Sequence, residues 1–440
     1  MVDVHEVFST SITLDEVEKA NQDFEQHSKE PYKHEVRLCH ASTILPLKHE
    51  RYHNAFIPFS PLLCAFYAGP DKEQGDTSIY IVRIEADGSH SSVQKLDCPQ
   101  LNQKANSTPV LFYLNQSQEV RTKALQNGTT LKDLPKGIVD TSAENLVEDG
   151  QKLYPQVKIG SQDESIIALV YKAGKENGST VSYLSLSFDD GKHFITPRQM
   201  VEDRAIEGRG PVRTKPYLVR KGPYAGRVIM PCSVDNNEGM AFVDYSDDDV
   251  RSLHMSNEIM PSDEQKLASE KATFAHGVVQ SALFEDLGIH QCEGYDLSSL
   301  TQEELNDKYS KVHMLMSARG SQVYVADSAD AGKTFGTPYG VPLYNCLAGI
   351  DCVTYMNRLL VCGKLVTDKD SCNPDEGAPL AIYMSKDGKN FSELLRLEDD
   401  PKGIFTSPYL QVDRRHHLLY VSYTDHRNTI KIRIFRLILQ

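Results

Sequence analysis

The sequence predicts an all-β chain folded as a β-propeller, and three observations carry that expectation. Short β-prone runs recur along almost the whole length, no helix of crossover length separates them, and one turn motif is repeated. The runs include SIYIVRIEA, IIALVYKA, VSYLSLSF, RVIMPCSV, LAIYMS and IKIRIFRLIL. Each concentrates or alternates β-branched and aromatic residues between Gly, Asn and Asp turns. Strands at that spacing build a sandwich, a barrel or a propeller, whereas a parallel α/β sheet would need an amphipathic helix between consecutive strands.

The repeat decides among those three. Ser187-Phe-Asp189-Asp-Gly191-Lys-His-Phe194 and Ser328-Ala-Asp330-Ala-Gly332-Lys-Thr-Phe335 share the pattern S-x-D-x-G-x-x-F. Ser385-Lys-Asp387-Gly388-Lys-Asn-Phe391 is a copy one residue shorter, and a degenerate fourth begins at Ser246-Asp-Asp248. Such an Asp-box turn has a clear chemistry: Asp accepts backbone N–H bonds, Gly supplies positive φ, Ser adds a side-chain bond and the aromatic packs back on the sheet. Repetition after successive strands is the mark of a repeat architecture. The box aspartates are read as rim turns and are not assigned to chemistry.

Two segments break the strand rhythm. Leu14–His27 has helical character, and so does 298–310, where Thr301 and Glu304 have the spacing of a capping box. The expected organisation is an N-terminal extension over residues 1–34 with a short helix, then a propeller over 35–440 with a helical insertion near 298–310.

At 440 residues, 40% hydrophobic and 25% charged, the chain has the composition of a folded globular protein. Its formal net charge of -14 argues against nucleic acid or an anionic membrane as partner, so an anionic ligand would need a local basic pocket. Nine cysteines without CxxC spacing read as buried thiols in a reducing compartment. The opening residues contain no apolar signal region, and a cytoplasmic location is expected. His416-His417, and His313 with other isolated histidines, lack ligand spacing such as HxH or HExxH, and no Walker loop, GxGxxG or nucleophile elbow is read, so neither metal nor cofactor is expected.

Cys39-His-Ala-Ser-Thr-Ile44, leading through an apolar strand to Phe66-Tyr-Ala-Gly-Pro70, resembles the first blade of bacterial sialidase-like proteins with BNR repeats. Thr108-Pro-Val-Leu-Phe112, Arg213-Thr-Lys-Pro216, Gly277-Val-Val-Gln280, Met316-Ser-Ala-Arg319, Gly349-Ile-Asp351 and Tyr423 follow in the family's order. The resemblance covers nearly everything from residue 35 onward. It implies six blades and an active site at one end of the axis. It also implies three arginines for a substrate carboxylate, a tyrosine nucleophile paired with a glutamate, and an aspartate as acid/base. Of the arginine positions only that of Arg319 is matched. The Cys39-His40 segment stands where the first arginine would be, Gln280 stands in place of the glutamate, Phe405-Thr-Ser-Pro-Tyr409 replaces the tyrosine segment, and Ala378-Pro-Leu380 offers no third arginine.

The residues expected to converge at the propeller mouth are therefore His40, Arg213, Lys215, Gln280, Arg319, Asp351 and Tyr423. Arg213, Lys215 and Arg319, with Gln280, form the expected substrate-binding set for a carboxylate or sulfate on a sugar. His40 is the expected proton-transfer group, having a reference pKa near neutrality. The acidic loop 71–76 lies about where the resemblance places the acid/base aspartate, with Asp76 preferred and Glu73 second. Asp76 and Asp351 facing each other would suit glycosidic cleavage. His40 with Tyr67 or Tyr423 would instead suit proton abstraction beside a uronate carboxylate. The leading expectation is an exo-acting, sialidase-like glycosidase on an acidic or uronate-containing glycan. A lyase acting by β-elimination and a non-catalytic glycan-binding propeller are the alternatives.

Overall fold

The computed structural model describes residues 2–27, 35–47, 59–70, 76–96, 105–114, 166–174, 180–187, 190–234, 241–248, 250, 252–259, 280–287, 301–317, 321–346, 349–372 and 377–439. Their strands form six sheets, built almost wholly of antiparallel pairs. In chain order the sheets start from Leu38–Pro46, Asn106–Tyr113, Gly210–Pro211 with Tyr217–Leu218, Gln280–Glu285, Asp351–Tyr355 and Phe405–Asp413. Those first strands pack on one another around a closed ring, so they line the axis and each later strand lies further out. This is the six-bladed propeller the sequence predicts.

Six apolar clusters glue the blades together, one at each junction. Leu63, Tyr67 and Ile79 of the first blade meet Leu111, Ile167 and Tyr171 of the second, for example. The opposite face of the first blade, through Cys64, Phe66 and Tyr80, meets Tyr409, Tyr420 and Ile432 of the sixth. Alternate residues of one strand thus enter two different clusters, because successive side chains leave a strand on opposite faces. A strand covered on both faces must be apolar at every position. Leu62–Gly69 is accordingly buried throughout.

The sixth blade corrects the expected domain boundary. Val2–Thr13 pairs antiparallel with Thr429–Leu439, from Val2↔Leu439 to Thr13↔Thr429, and is the outermost strand of that blade. Residues 2–13 are therefore part of the propeller and not an extension preceding it. Local pattern could not show this, because their partner lies at the far end of the chain. The helix Leu14–His27 follows directly. It buries Val17 and Ala20 at the junction of blades six and one, and its Asn21 accepts a 3.1 Å bond from Lys95 Nζ. A second helix, Gln302–Ser310, connects the first two strands of blade four. Its Thr301–Glu304 capping box is formed from both sides.

The repeated turns join the third and fourth strands of their blades, away from the axis. In each of two copies the box serine accepts a 2.9 Å bond from the glycine N–H, Gly191 to Ser187 and Gly332 to Ser328. The degenerate turn closes the same way: Val250 N–H donates to Ser246 Oγ at 2.9 Å, and Val250 takes the glycine's left-handed conformation at φ 59°. Asp248 and Asp330 each accept from the backbone and hydroxyl of the residue four positions on, Ser252 and Thr334. Blade three therefore carries a fourth Asp box.

Candidate functional site

The axis-lining strands begin with a recurrent irregularity. Register slips occur between His40 and Thr43, Ser107 and Val110, and Thr406 and Tyr409. At each slip one residue is left-handed: Ala41 at φ 58°, Thr108 at φ 50° and Ser407 at φ 54°. Arg213 at φ 82° and Gly349 at φ 109° stand at the matching places in blades three and five. A left-handed non-glycine residue costs roughly 1–2 kcal/mol. Such strain persists where the surroundings enforce it, and it concentrates at functional sites.

These irregular turns bring polar groups from different blades into contact. His40 Nε2, from blade one, shares a 3.3 Å hydrogen bond with Ser407 Oγ of blade six. Arg213 of blade three donates from Nη1 to the Ser407 and Pro408 carbonyls at 3.1 and 2.9 Å. Lys215 Nζ donates to both oxygens of Asp351, of blade five, at 2.7 Å each. Asp351 Oδ2 also accepts the Leu410 N–H of blade six at 2.7 Å. The Lys215 ammonium lies 5.1 Å from the ring centre of Tyr409. Blades one, three, five and six are thereby linked through one buried polar cluster.

Several polar atoms of the axis-lining segments keep unused bonding capacity. Among the described residues, the buried atoms His40 Nδ1, Arg213 Nη2, Gln280 Oε1, Thr108 Oγ1 and Thr406 Oγ1 have no hydrogen-bond partner. Buried polar atoms are normally satisfied, so these five, from five axis-lining segments, are exceptions to the rule. Burial, followed by the charges of Arg427 and Arg213, pushes His40 down from 6.5 to about 3. Burial likewise lowers Arg213, with Asp351 the main opposing charge. The Tyr409 hydroxyl is raised by burial and then by Asp351.

Of the expected site residues, the fold joins His40, Arg213, Lys215 and Asp351. Gln280 opens the axis-lining strand of blade four, half-buried. Tyr67 is packed edge-on against His40, ring centres 5.6 Å apart. Arg319 and Glu73 lie outside the described residues. Asp76 is half-buried ahead of Ser78–Ile84, and burial raises its carboxyl. Its strand end is the one where Leu38–Pro46 begins, the His40 end.

Three expectations need correction. Tyr423 is not at the axis: it faces the junction of blades five and six, and its hydroxyl donates to Glu398 Oε1 at 2.5 Å. Strand alternation sends it to that side. Asp351 is not poised as half of a carboxylate pair, since Lys215 and the Leu410 N–H engage both its oxygens. His40 is not a group titrating near neutrality, because its burial disfavours the imidazolium. Ser407 and Tyr409 belong to the Phe405–Tyr409 segment and are not among the expected site residues. A signal was present: Thr108-Pro109 and Ser407-Pro408 repeat one hydroxyl-proline pair at the same irregular turn.

Comparison with known proteins agrees with this architecture. Residues 135–421 match the model of a BNR repeat-like domain. A protein of unknown function from Dyadobacter fermentans superposes with a TM-score of 0.55 at 13% identity, with 99% of each chain covered. A mutant of the NanB sialidase from Streptococcus pneumoniae gives 0.51 at 8% identity, over 92% of this chain and 68% of that one. Trypanosoma rangeli sialidase in complex with sialic acid gives 0.51 at 10% identity, over 98% of this chain. This chain spans only 59% of the trypanosomal one. No curated protein matches the sequence. At these identities the structural likeness speaks for the fold.

Proposed function

The chain belongs to the BNR repeat-like domain family, and from that premise and the axial cluster we propose that it is an exo-acting glycoside hydrolase binding the acidic end of a glycan. The observation that carries this reading is Arg213. Its guanidinium is buried, Nη1 is spent on two carbonyls, and Nη2 is an orphan with no carboxylate bonded to it. A ligand carboxylate would satisfy that nitrogen, and a charge-assisted bond in a dry site is a strong one. His40 Nδ1 and Gln280 Oε1 would orient neutral sugar hydroxyls. The sialidase structures that share the fold, one of them holding sialic acid, supply the carbohydrate context.

The test is a panel of neutral, sialylated and uronate-bearing oligosaccharides, analysed for binding and for released monosaccharide. Acidic members should bind and lose their terminal residue, and Arg213→Lys should weaken binding by about tenfold, the equivalent of roughly 1.4 kcal/mol. Equal binding of neutral glycans, or a folded Arg213→Lys protein with undiminished binding, would refute the assignment. A second reading, a glycan-binding propeller without catalysis, is favoured by the commitment of Asp351 to Lys215. Binding without any cleavage selects it. An unsaturated uronate product would instead assign β-elimination to the His40–Tyr67 pair.

A further inference from the structure

Cys346 and Cys372 stand apart from the other described cysteines. Their sulfurs are 3.5 Å apart, although they are separated by 26 positions in sequence. They belong to different connections of the fold. Cys346 directly follows Tyr339–Asn345, the fourth strand of blade four, and Cys372 ends the short 3-10 turn Lys369–Ser371, between the second and third strands of blade five, Arg358–Gly363 and Leu380–Ser385.

Each is held in place by structure that does not depend on the other. The Cys346 N–H donates to the Lys364 carbonyl at 2.9 Å, next to the pairing of Tyr344 and Asn345 with Val366 and Leu365. The Cys372 N–H donates to the Lys369 carbonyl at 3.1 Å, and Asp368 caps the turn through Asp370 N–H and the Ser371 hydroxyl. The two thiols are thus brought face to face by the backbone, which removes most of the entropy cost of joining them. Their accessibilities differ usefully. Cys346 is fully buried, whereas Cys372 is partly exposed.

We propose that Cys346 and Cys372 are a reversible disulfide site that closes in the folded protein under a peroxide oxidant. In this reaction the Cys372 thiolate attacks one peroxide oxygen, the O–O bond breaks, and Cys372 becomes a sulfenic acid as hydroxide leaves and takes up a proton. The Cys346 sulfur then attacks the Cys372 sulfur, forming the S–S bond and expelling the sulfenic oxygen, which leaves as water with the Cys346 proton. Two thiols and one hydrogen peroxide thus become one disulfide and two waters. The hydrogen bond to Cys346 lowers the Cys372 thiol, which favours it as the attacking group. Among the other described cysteines, Cys39, Cys64, Cys232, Cys352 and Cys362 are buried and raised by desolvation, and so are poor competitors.

Closing the bond would tie the Lys369–Ser371 turn to the segment just ahead of Asp351, a residue of the axial cluster. A link across that span also restricts the unfolded chain.

The experiment exposes the full-length reduced protein to hydrogen peroxide, then denatures it, alkylates the remaining thiols and maps the peptides by mass spectrometry. A Cys346–Cys372 cross-linked peptide that disappears with dithiothreitol is expected, with a rise of a few degrees in the melting midpoint of the oxidised protein. Cys372→Ser should give neither the cross-link nor the rise. Cys346→Ser should leave a Cys372 sulfenic acid that dimedone traps. Full alkylation of both cysteines after peroxide, or joining of Cys372 to a different cysteine, would overturn the proposal. Because the Cys372 side chain is partly exposed, its serine variant keeps the test informative even where Cys346→Ser fails to fold.

Discussion

His40 shows how burial redirects a side chain whose type suggests acid–base work. With its folded value near 3 against 6.5 ordinarily, the unfolded chain takes up a proton at pH values where the folded protein does not. The stability tied to this residue is therefore complete above 6.5 and lost as the pH falls toward 3. Between about pH 7 and about pH 4 the urea midpoint of the wild type should fall more steeply than that of His40→Gln. Parallel curves would mean that the folded protein accepts the proton. The Lys215–Asp351 pair makes a second test. Removing one member of a buried pair strands the other, so Lys215→Met should cost about 3–5 kcal/mol in urea unfolding. Adding Asp351→Asn to that variant should return part of the loss, since the stranded group is then neutral.

At the scale of the element, the Asp boxes do more than reverse the chain. A Cβ on Gly332 would lie 2.8 Å from Ile229 of the preceding blade, and one on Gly191 would collide with Leu63 of its own preceding blade. A Cβ on Gly388 would meet nothing within 4 Å among the described residues. All three glycines have positive φ. Gly388→Ala should therefore cost only the backbone term, about 1 kcal/mol, while Gly332→Ala adds a steric term of about 1–3 kcal/mol. Equal shifts in thermal unfolding would deny the boxes a part in blade-to-blade packing. These turns were legible because their chemistry is local: serine, aspartate and glycine at fixed spacing act within one hairpin. The fourth box was only half legible, since Val250 occupies the glycine's place and a β-branched residue gives no hint of positive φ. The axial cluster was legible for His40, Arg213, Lys215 and Asp351 through the order of their segments. Tyr423 and Tyr409 could not be sorted, because the choice depends on which face of a strand each occupies.

Over the whole molecule, the ring is closed by the pairing of Val2–Thr13 with Thr429–Leu439, supported by the ion pair of Arg433 with Glu6. Deleting residues 2–13 removes the outer strand of blade six and uncovers Ile430, Ile432 and Ile434, now buried beside Ile12. The loss of Ile12 and Val2 alone should exceed about 3 kcal/mol. The truncated protein should melt earlier and self-associate through its bared edge, as light scattering would register. An unchanged melting curve would mean that the strand is dispensable for closure. No window of the sequence could reveal this pairing, because it joins residues more than 400 positions apart.

The same closure brings Val2 and Leu439 side by side on the outer rim. In such a ring the order of blades along the polypeptide is a matter of where the chain is cut, not of how the blades pack. A short peptide joining Leu439 to Val2, with new ends opened in a loop between two other blades, should yield a circular permutant with the same axis and the same cluster. Fusions attached at either end would project from one spot on the circumference, away from the axial cluster.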